Sequence, residues 1–337
     1  MDTELLTDLA ARLRSDLPID ALERLERELK DHLAVRLARP VNGADARELA
    51  VFQRDLGFLL KYKSYAIKAT SPLGYSVFLQ QPGEGFSFQR HVRHKTEIFY
   101  ILDVLPGGYV FICESDEWER MYRRDTFEAW LAGAPGLPYD RFRYAPQPGD
   151  VVVIDKLNVV HTVVGCTLAE FATVSTDMVD RLHDQNAGHP VPPHFSREYA
   201  EQRLRAIVPP SAAHQVVITA AGVTRTPMPS EAVAGGWRTT IGAGSMGAST
   251  YVYEPGAAGG VSSDPTRATC LHVMAGRGSL VLGTADEVRR TSPPTIAVSA
   301  GDLLLVAPGA HYGMVNDGCD AMTIAEHRLA AATAFVS

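Results

Sequence analysis

The chain has 337 residues, 46% of them hydrophobic and 21% charged, with a formal net charge of -7 at neutral pH. That is enough chain for two domains with their own cores, and too apolar a composition for intrinsic disorder. Acidic and basic residues are interleaved without a basic stripe of the kind that neutralises phosphate backbones, which argues against a nucleic-acid partner.

Met1-Asp2-Thr3-Glu4 lacks the basic and apolar regions of a leader, and the sequence has no run of about 18 apolar residues. A cytoplasmic setting without membrane contact is expected. Cys113, Cys166, Cys270 and Cys319 lie far apart and form no C-x-x-C pair, so they are expected to be free thiols.

Residues 1–62 are rich in Leu, Ala, Arg and Glu, and Leu22, Leu25, Leu29, Leu33 and Leu37 recur at the spacing of one helical face. Asp20 followed by Glu23 has the form of a capping box, and Pro40 with Gly43 ends the run. Another helical pattern covers 45–60. Short amphipathic helices cannot bury their apolar faces alone, so this segment is expected to be a lid or a dimerisation arm, and the protein a homodimer.

From 63 to 190 the pattern changes to short runs of Val, Ile, Phe and Tyr, separated by turns such as Ser71-Pro72-Leu73-Gly74 and Pro82-Gly83-Glu84-Gly85. An insertion at 114–145 reads as short helices, at 117–124 and 127–131, placed to lie over a barrel mouth. A linker is expected at 191–214 and a second β unit at 215–337. Cys270-Leu271-His272-Val273-Met274-Ala275-Gly276 and Ala300-Gly301-Asp302-Leu303-Leu304-Leu305-Val306 parallel blocks of the first unit, the mark of an internal duplication.

Two stretches carry the chemistry. One is Gln89-Arg90-His91-Val92-Arg93-His94-Lys95-Thr96-Glu97, leading into Ile98-Phe99-Tyr100-Ile101-Leu102. The other is Pro148-Gly149-Asp150-Val151-Val152-Val153-Ile154, followed by His161. Together they resemble the two motifs of the cupin superfamily, and the repeated β units resemble its bicupins. The resemblance implies a mainly β fold: two double-stranded β-helix (jelly-roll) barrels in one chain, behind an N-terminal helical segment.

The family's first motif has two histidines one residue apart and a glutamate soon after. Glu97 fits the glutamate, and counting back places His91 at the first histidine and Arg93 at the second. Residues two apart on a strand share a face, so His91 and Arg93 are expected together, with His94 turned outward unless a bulge intervenes. The second motif is one residue longer than the family spacing but retains His161.

By resemblance the metal ligands are His91, Glu97 and His161, with His94 in reserve. The expected cofactor is a divalent transition metal, Fe(II) foremost, with Zn, Mn or Ni as alternatives. Arg93 is expected to bind an anionic group of a small-molecule substrate, and Glu170 to face the cavity. Lys61, Lys63 and Lys68 read either as steering groups for an acidic substrate or as a solvated strand face. In the second unit Thr269 falls at the glutamate position, Ser263 and Pro265 fall at the histidines, and His311 alone remains. That barrel is expected to be structural.

The leading functional expectation is a dioxygenase-like non-haem Fe(II) enzyme acting on a small, polar, acidic substrate. The alternatives are an isomerase, epimerase or lyase using a divalent metal on a sugar-like or hydroxy-acid substrate, and a non-catalytic ligand-binding bicupin.

Overall fold

The computed structural model describes residues 3–328 except 14–16, 42, 72, 94, 156, 174–178 and 243–245. The helical segment forms α1 (Thr3–Leu13), α2 (Ile19–Leu37) and α3 (Gly43–Leu56). Leu22, Leu25, Leu29, Leu33 and Leu37 are all buried, each contributing up to about 1.5–3 kcal/mol by leaving water. The Asp20–Glu23 capping box does not form. Helix α2 begins directly after Pro18, which caps it without a side-chain hydrogen bond, so Asp20 already lies inside the first turn, where the helix dipole favours its charge.

The first β unit consists of β1 (Leu59–Tyr62), β2 (Ala66–Thr70), β3 (Tyr75–Gln80), β4 (Phe88–His91), β5 (Glu97–Glu114), β6 (Arg143–Tyr144), β7 (Asp150–Ile154), β8 (Val159–Ala172) and β9 (Val179–His183). Two further strands, β10 (His214–Thr219) and β11 (Gly222–Pro227), join the same sheet, whose main order is β1-β2-β3-β8-β5-β7-β10-β11. Strands β5 and β8 pair along their length, but the register breaks between Val104 and Tyr109. There the chain doubles back against Gly165, which has φ 62°, and a Cβ on Gly108 would lie 2.7 Å from the Gly165 carbonyl oxygen. Glycine at both positions lets the long strands bend from one barrel wall into the next.

The second unit pairs β12 (Ser230–Val233), β13 (Gly236–Gly242), β14 (Gly247–Tyr253), β16 (Thr269–Ala275), β19 (Leu303–Val306) and β21 (Met322–Arg328) in one sheet. A facing sheet contains β15 (Ser262–Ser263), β17 (Arg277–Gly283), β18 (Thr295–Ser299) and β20 (His311–Val315). The order β14-β21-β16-β19 repeats β3-β8-β5-β7 of the first unit. The unit starts later than the sequence pattern suggests. The β10–β11 hairpin, expected to open it, instead hydrogen-bonds to β7, with His214 opposite Asp150 in a parallel pairing.

The insertion forms α4 (Ser115–Met121) and α5 (Arg124–Leu131). It covers a side wall rather than a mouth: Trp118, Phe127 and Trp130 pack on Phe88 and Phe111 in a buried aromatic cluster. The expected linker contains α6 (Arg197–Arg205), and a short helix α7 (Ala285–Val288) follows β17. The N-terminal helices join both units. Val41 donates its backbone N–H to Pro308 and Arg47 pairs with Glu287 at 3.3 Å in the second, while Glu26 of α2 pairs with Lys61 at 2.5 Å in the first. Cys113, Cys166 and Cys270 are buried free thiols and Cys319 is an exposed one. No helix among the described residues is long and apolar enough to cross a membrane.

Candidate metal centre

Strand β4 ends at His91, β5 begins at Glu97, and His161 stands third in β8. Because Gln89 of β4 lies opposite His161, the short strand delivers His91 to the same point in the barrel wall. His91, Glu97 and His161 are 3%, 3% and 0% exposed, and one ligand atom from each falls within 4.8 Å of the others. His91 Nε2 is 3.3 Å and His161 Nε2 is 3.4 Å from Glu97 Oε2.

These atoms fit a cation. Both ring nitrogens of His91, Nε2 of His161 and Oε2 of Glu97 are buried without a hydrogen-bond partner, a costly state unless something positive is bound between them. The His161 ring is turned by its Nδ1, 3.1 Å from the Val159 carbonyl; donating there leaves Nε2 as a lone-pair ligand. Burial alone would raise the Glu97 pKa. Lys95, whose Nζ lies 2.6 Å from Oε1, together with His161 and His91, outweighs that and holds the carboxyl well below its usual range, as an ionised ligand.

Other expected site residues are placed differently. Arg93 is exposed and lies beyond the end of β4, so the shared face with His91 does not form. The alternation runs the other way along the strand, and Gln89, two residues before His91, lines the cavity. His94 lies outside the described residues. Glu170 does reach the cavity, buried at 6% exposure and 3.7 Å from Lys68 Nζ.

Glu97 and Lys95 border a cavity of about 1060 Å³. Its walls come from β1 to β5, β8 and β9, and its rim includes Glu23, Glu26, Arg27, Lys30 and Asp31 of α2. Helix α2 therefore borders the cavity of the first barrel. The aromatic insertion contributes nothing to the lining. Reading the sequence by motif missed Lys95, Gln89 and Arg181, all of which line the cavity. Gln89 was detectable, as the residue at the HxH spacing before His91.

The second unit shows what the same architecture looks like without these ligands. Thr269 lies opposite Val306 and Arg328 as Glu97 lies opposite Ile154 and Ala172, so Thr269 does replace the glutamate. The other positions differ from the sequence count. Ser262 faces Tyr312 as Gln89 faces His161. Gly259 bonds to the carbonyl of Met314 as Phe86 bonds to that of Val163. Tyr312, not His311, therefore occupies the place of His161. Its hydroxyl donates to the buried Glu326 at 2.8 Å, and Arg328 pairs with the same carboxylate at 2.9 Å.

No protein-family model matches this sequence, and no curated protein matches it. Among solved structures, the chain is similar to oxalate decarboxylase from Bacillus subtilis, with 12% identity, 81% of this chain and 74% of that one covered, and a TM-score of 0.48. The mannose 6-phosphate isomerase of Bacillus subtilis matches at 14% identity, with 75% and 74% covered and a TM-score of 0.47. Vicilin from Corylus avellana (hazelnut) matches at 11% identity, with 82% and 84% covered and a TM-score of 0.48.

Proposed function

We propose that the chain is a metal-dependent cupin enzyme of small-molecule metabolism, in which His91, Glu97 and His161 hold one divalent transition-metal ion. The observation that carries this reading is the convergence of buried, unpartnered ligand atoms at one side of a cavity large enough for a metabolite. Such an ion, when bound, acts as a Lewis acid toward a carbonyl or hydroxyl oxygen.

The protein's own groups favour proton transfer. Glu170, held by Lys68, presents a buried carboxylate to the cavity that can accept a proton from substrate carbon or oxygen. Lys95 Nζ fixes the orientation of Glu97 through Oε1 and borders the same space as a hydrogen-bond donor. A proton acceptor and a donor beside a Lewis acid suit an isomerase, epimerase or lyase. The oxygenase reading has its own support in the ligand set, because two histidines and one carboxylate with open positions are characteristic of non-haem Fe(II) oxygenases.

Metal analysis after anaerobic purification tests both. The expected result is about one metal per chain, lost in Glu97→Gln, with deuterium from D2O entering a turned-over hydroxy-acid or sugar-like substrate. Iron with substrate-dependent O2 uptake would select the oxygenase. A metal-free chain whose content does not respond to added Fe, Mn, Ni or Zn would overturn the reading.

A further inference from the structure

Strands β1 and β2 place Lys61 directly opposite Lys68, and Lys63 follows β1 at the cavity wall. Like charges opposite one another destabilise a sheet. The second unit avoids this arrangement: at the matching positions Glu231 lies opposite Arg238 and accepts its Nε–H at 2.6 Å. The match follows from the ladders, since Lys68 faces Phe78 and Phe78 faces Leu168, as Arg238 faces Tyr251 and Tyr251 faces Ile324.

Charge pairing around the cavity leaves a remainder. Lys61 and Lys30 share Glu26, at 2.5 and 3.1 Å, Lys68 has Glu170 and Lys95 has Glu97. Among the described residues no carboxylate pairs with Lys63 or Arg181, although Glu23 faces Lys63 at longer range. Burial and the neighbouring Lys68, Lys61 and Arg181 push the Lys63 ammonium down to about 8, the sign of a half-buried cation among cations. Seven cationic and six acidic side chains line the cavity, so the excess is local: half-buried Lys63 and exposed Arg181 stand without a carboxylate at ion-pair distance among the described residues. A ligand of opposite charge resolves it.

We propose that Lys63, with Lys68 and Arg181, forms a subsite for an oxyanion of the substrate, a carboxylate or a phosphate, separate from the metal ligands. The proposal relies on the metal-enzyme reading only in calling the ligand a substrate. A cavity of about 1060 Å³ accommodates a molecule that spans both subsites. Lys63 and Lys68 serve as point charges, and Arg181, on β9 with Gln89 as its cross-strand partner, offers a planar fork suited to either anion.

Titration of the full-length, chelator-treated chain with inorganic phosphate and, separately, acetate, followed calorimetrically, tests this without interference from metal. Phosphate is expected to bind at one site per chain and acetate to compete with it. Binding should weaken by about tenfold or more in Lys63→Met and in Arg181→Ala, and be largely retained in Lys63→Arg. Metal content measured on the same variants should stay at the wild-type value. Phosphate and acetate binding that is absent, or indifferent to Lys63→Met and Arg181→Ala, would overturn the subsite even with metal fully bound. Lys63-dependent anion binding in a chain that takes up no metal would support the subsite and sink the metal reading alone.

Discussion

The two β units share one strand order and opposite treatments of buried charge. In the first, Glu97 meets two imidazoles whose Nε2 atoms have no hydrogen-bond partner, and Lys61 faces Lys68. In the second, Tyr312 fills the place of His161 and satisfies Glu326, Arg328 pairs with that carboxylate, and Glu231 offsets Arg238. The remaining space there is about 200 Å³, against about 1060 Å³ in the first unit. Around the place of His161 the second barrel closes its polar groups on one another, although His272 and His327 elsewhere in that unit keep buried ring nitrogens without a partner. Unsatisfied groups surviving in its duplicate mark the place where a ligand completes the set.

The largest test of this contrast exchanges the roles of two equivalent positions. His161→Ala should remove the metal entirely while leaving the circular dichroism of the folded chain. Tyr312→Phe should leave metal stoichiometry at about one per chain and lower stability by about 1 kcal/mol, the cost of one hydrogen bond to a buried carboxylate that keeps its arginine. Metal loss in Tyr312→Phe would mean that the second barrel is not closed in the way described.

A smaller effect should appear at the contact between the units, where His272 accepts or donates a hydrogen bond at 2.7 Å with Tyr75, and His327 packs on Phe171. Burial lowers these imidazoles to about 3 and about 4, so both are neutral in the folded protein. The unfolded chain binds their protons below its ordinary histidine pKa of about 6.5. Their contribution is therefore fully present above that pH and declines as pH falls toward 4, by up to about 1.4 kcal/mol per pH unit for each group. Denaturant midpoints between pH 7 and pH 4 should show this decline, and the double variant His272→Gln, His327→Gln should flatten it. An unchanged slope in the variant would remove these histidines from the account.

A further effect on stability concerns the hairpin shared between the units. Asp150, fully buried, accepts from Arg225 Nε at 2.7 Å and from Tyr144 and the backbone of Gln147, both at 2.8 Å. Arg225→Ala removes one charged partner of three and should cost about 1.5–3 kcal/mol in chemical denaturation. A neutral outcome would show that β10 and β11 are held by backbone pairing alone.

Much of this was legible in the sequence, and the failures follow a pattern. The leucine stripe of α2 is set by local periodicity and is buried as expected, and Glu97 and His161, picked out by spacing, come together with His91 in the fold. Arg93 was misplaced because alternation was extended forward past His91, where β4 has already ended, instead of back to Gln89. His311 was taken as the remaining ligand position because histidine is the expected residue type, while the register that brings Tyr312 there depends on Ser262 across the barrel. Hairpin β10–β11 was assigned to the wrong unit because its partner β7 lies about 60 residues away in the chain, beyond the reach of any local pattern.

That last pairing also governs the order in which the protein can be made. Strand β7 is an edge, with an unpaired row of backbone donors and acceptors, until residues 214–219 arrive in parallel beside it. During synthesis the sheet of the first unit is therefore completed only after α6 and the hairpin have emerged. A fragment ending near residue 190 keeps His91, Glu97 and His161 and is nonetheless expected to aggregate along β7.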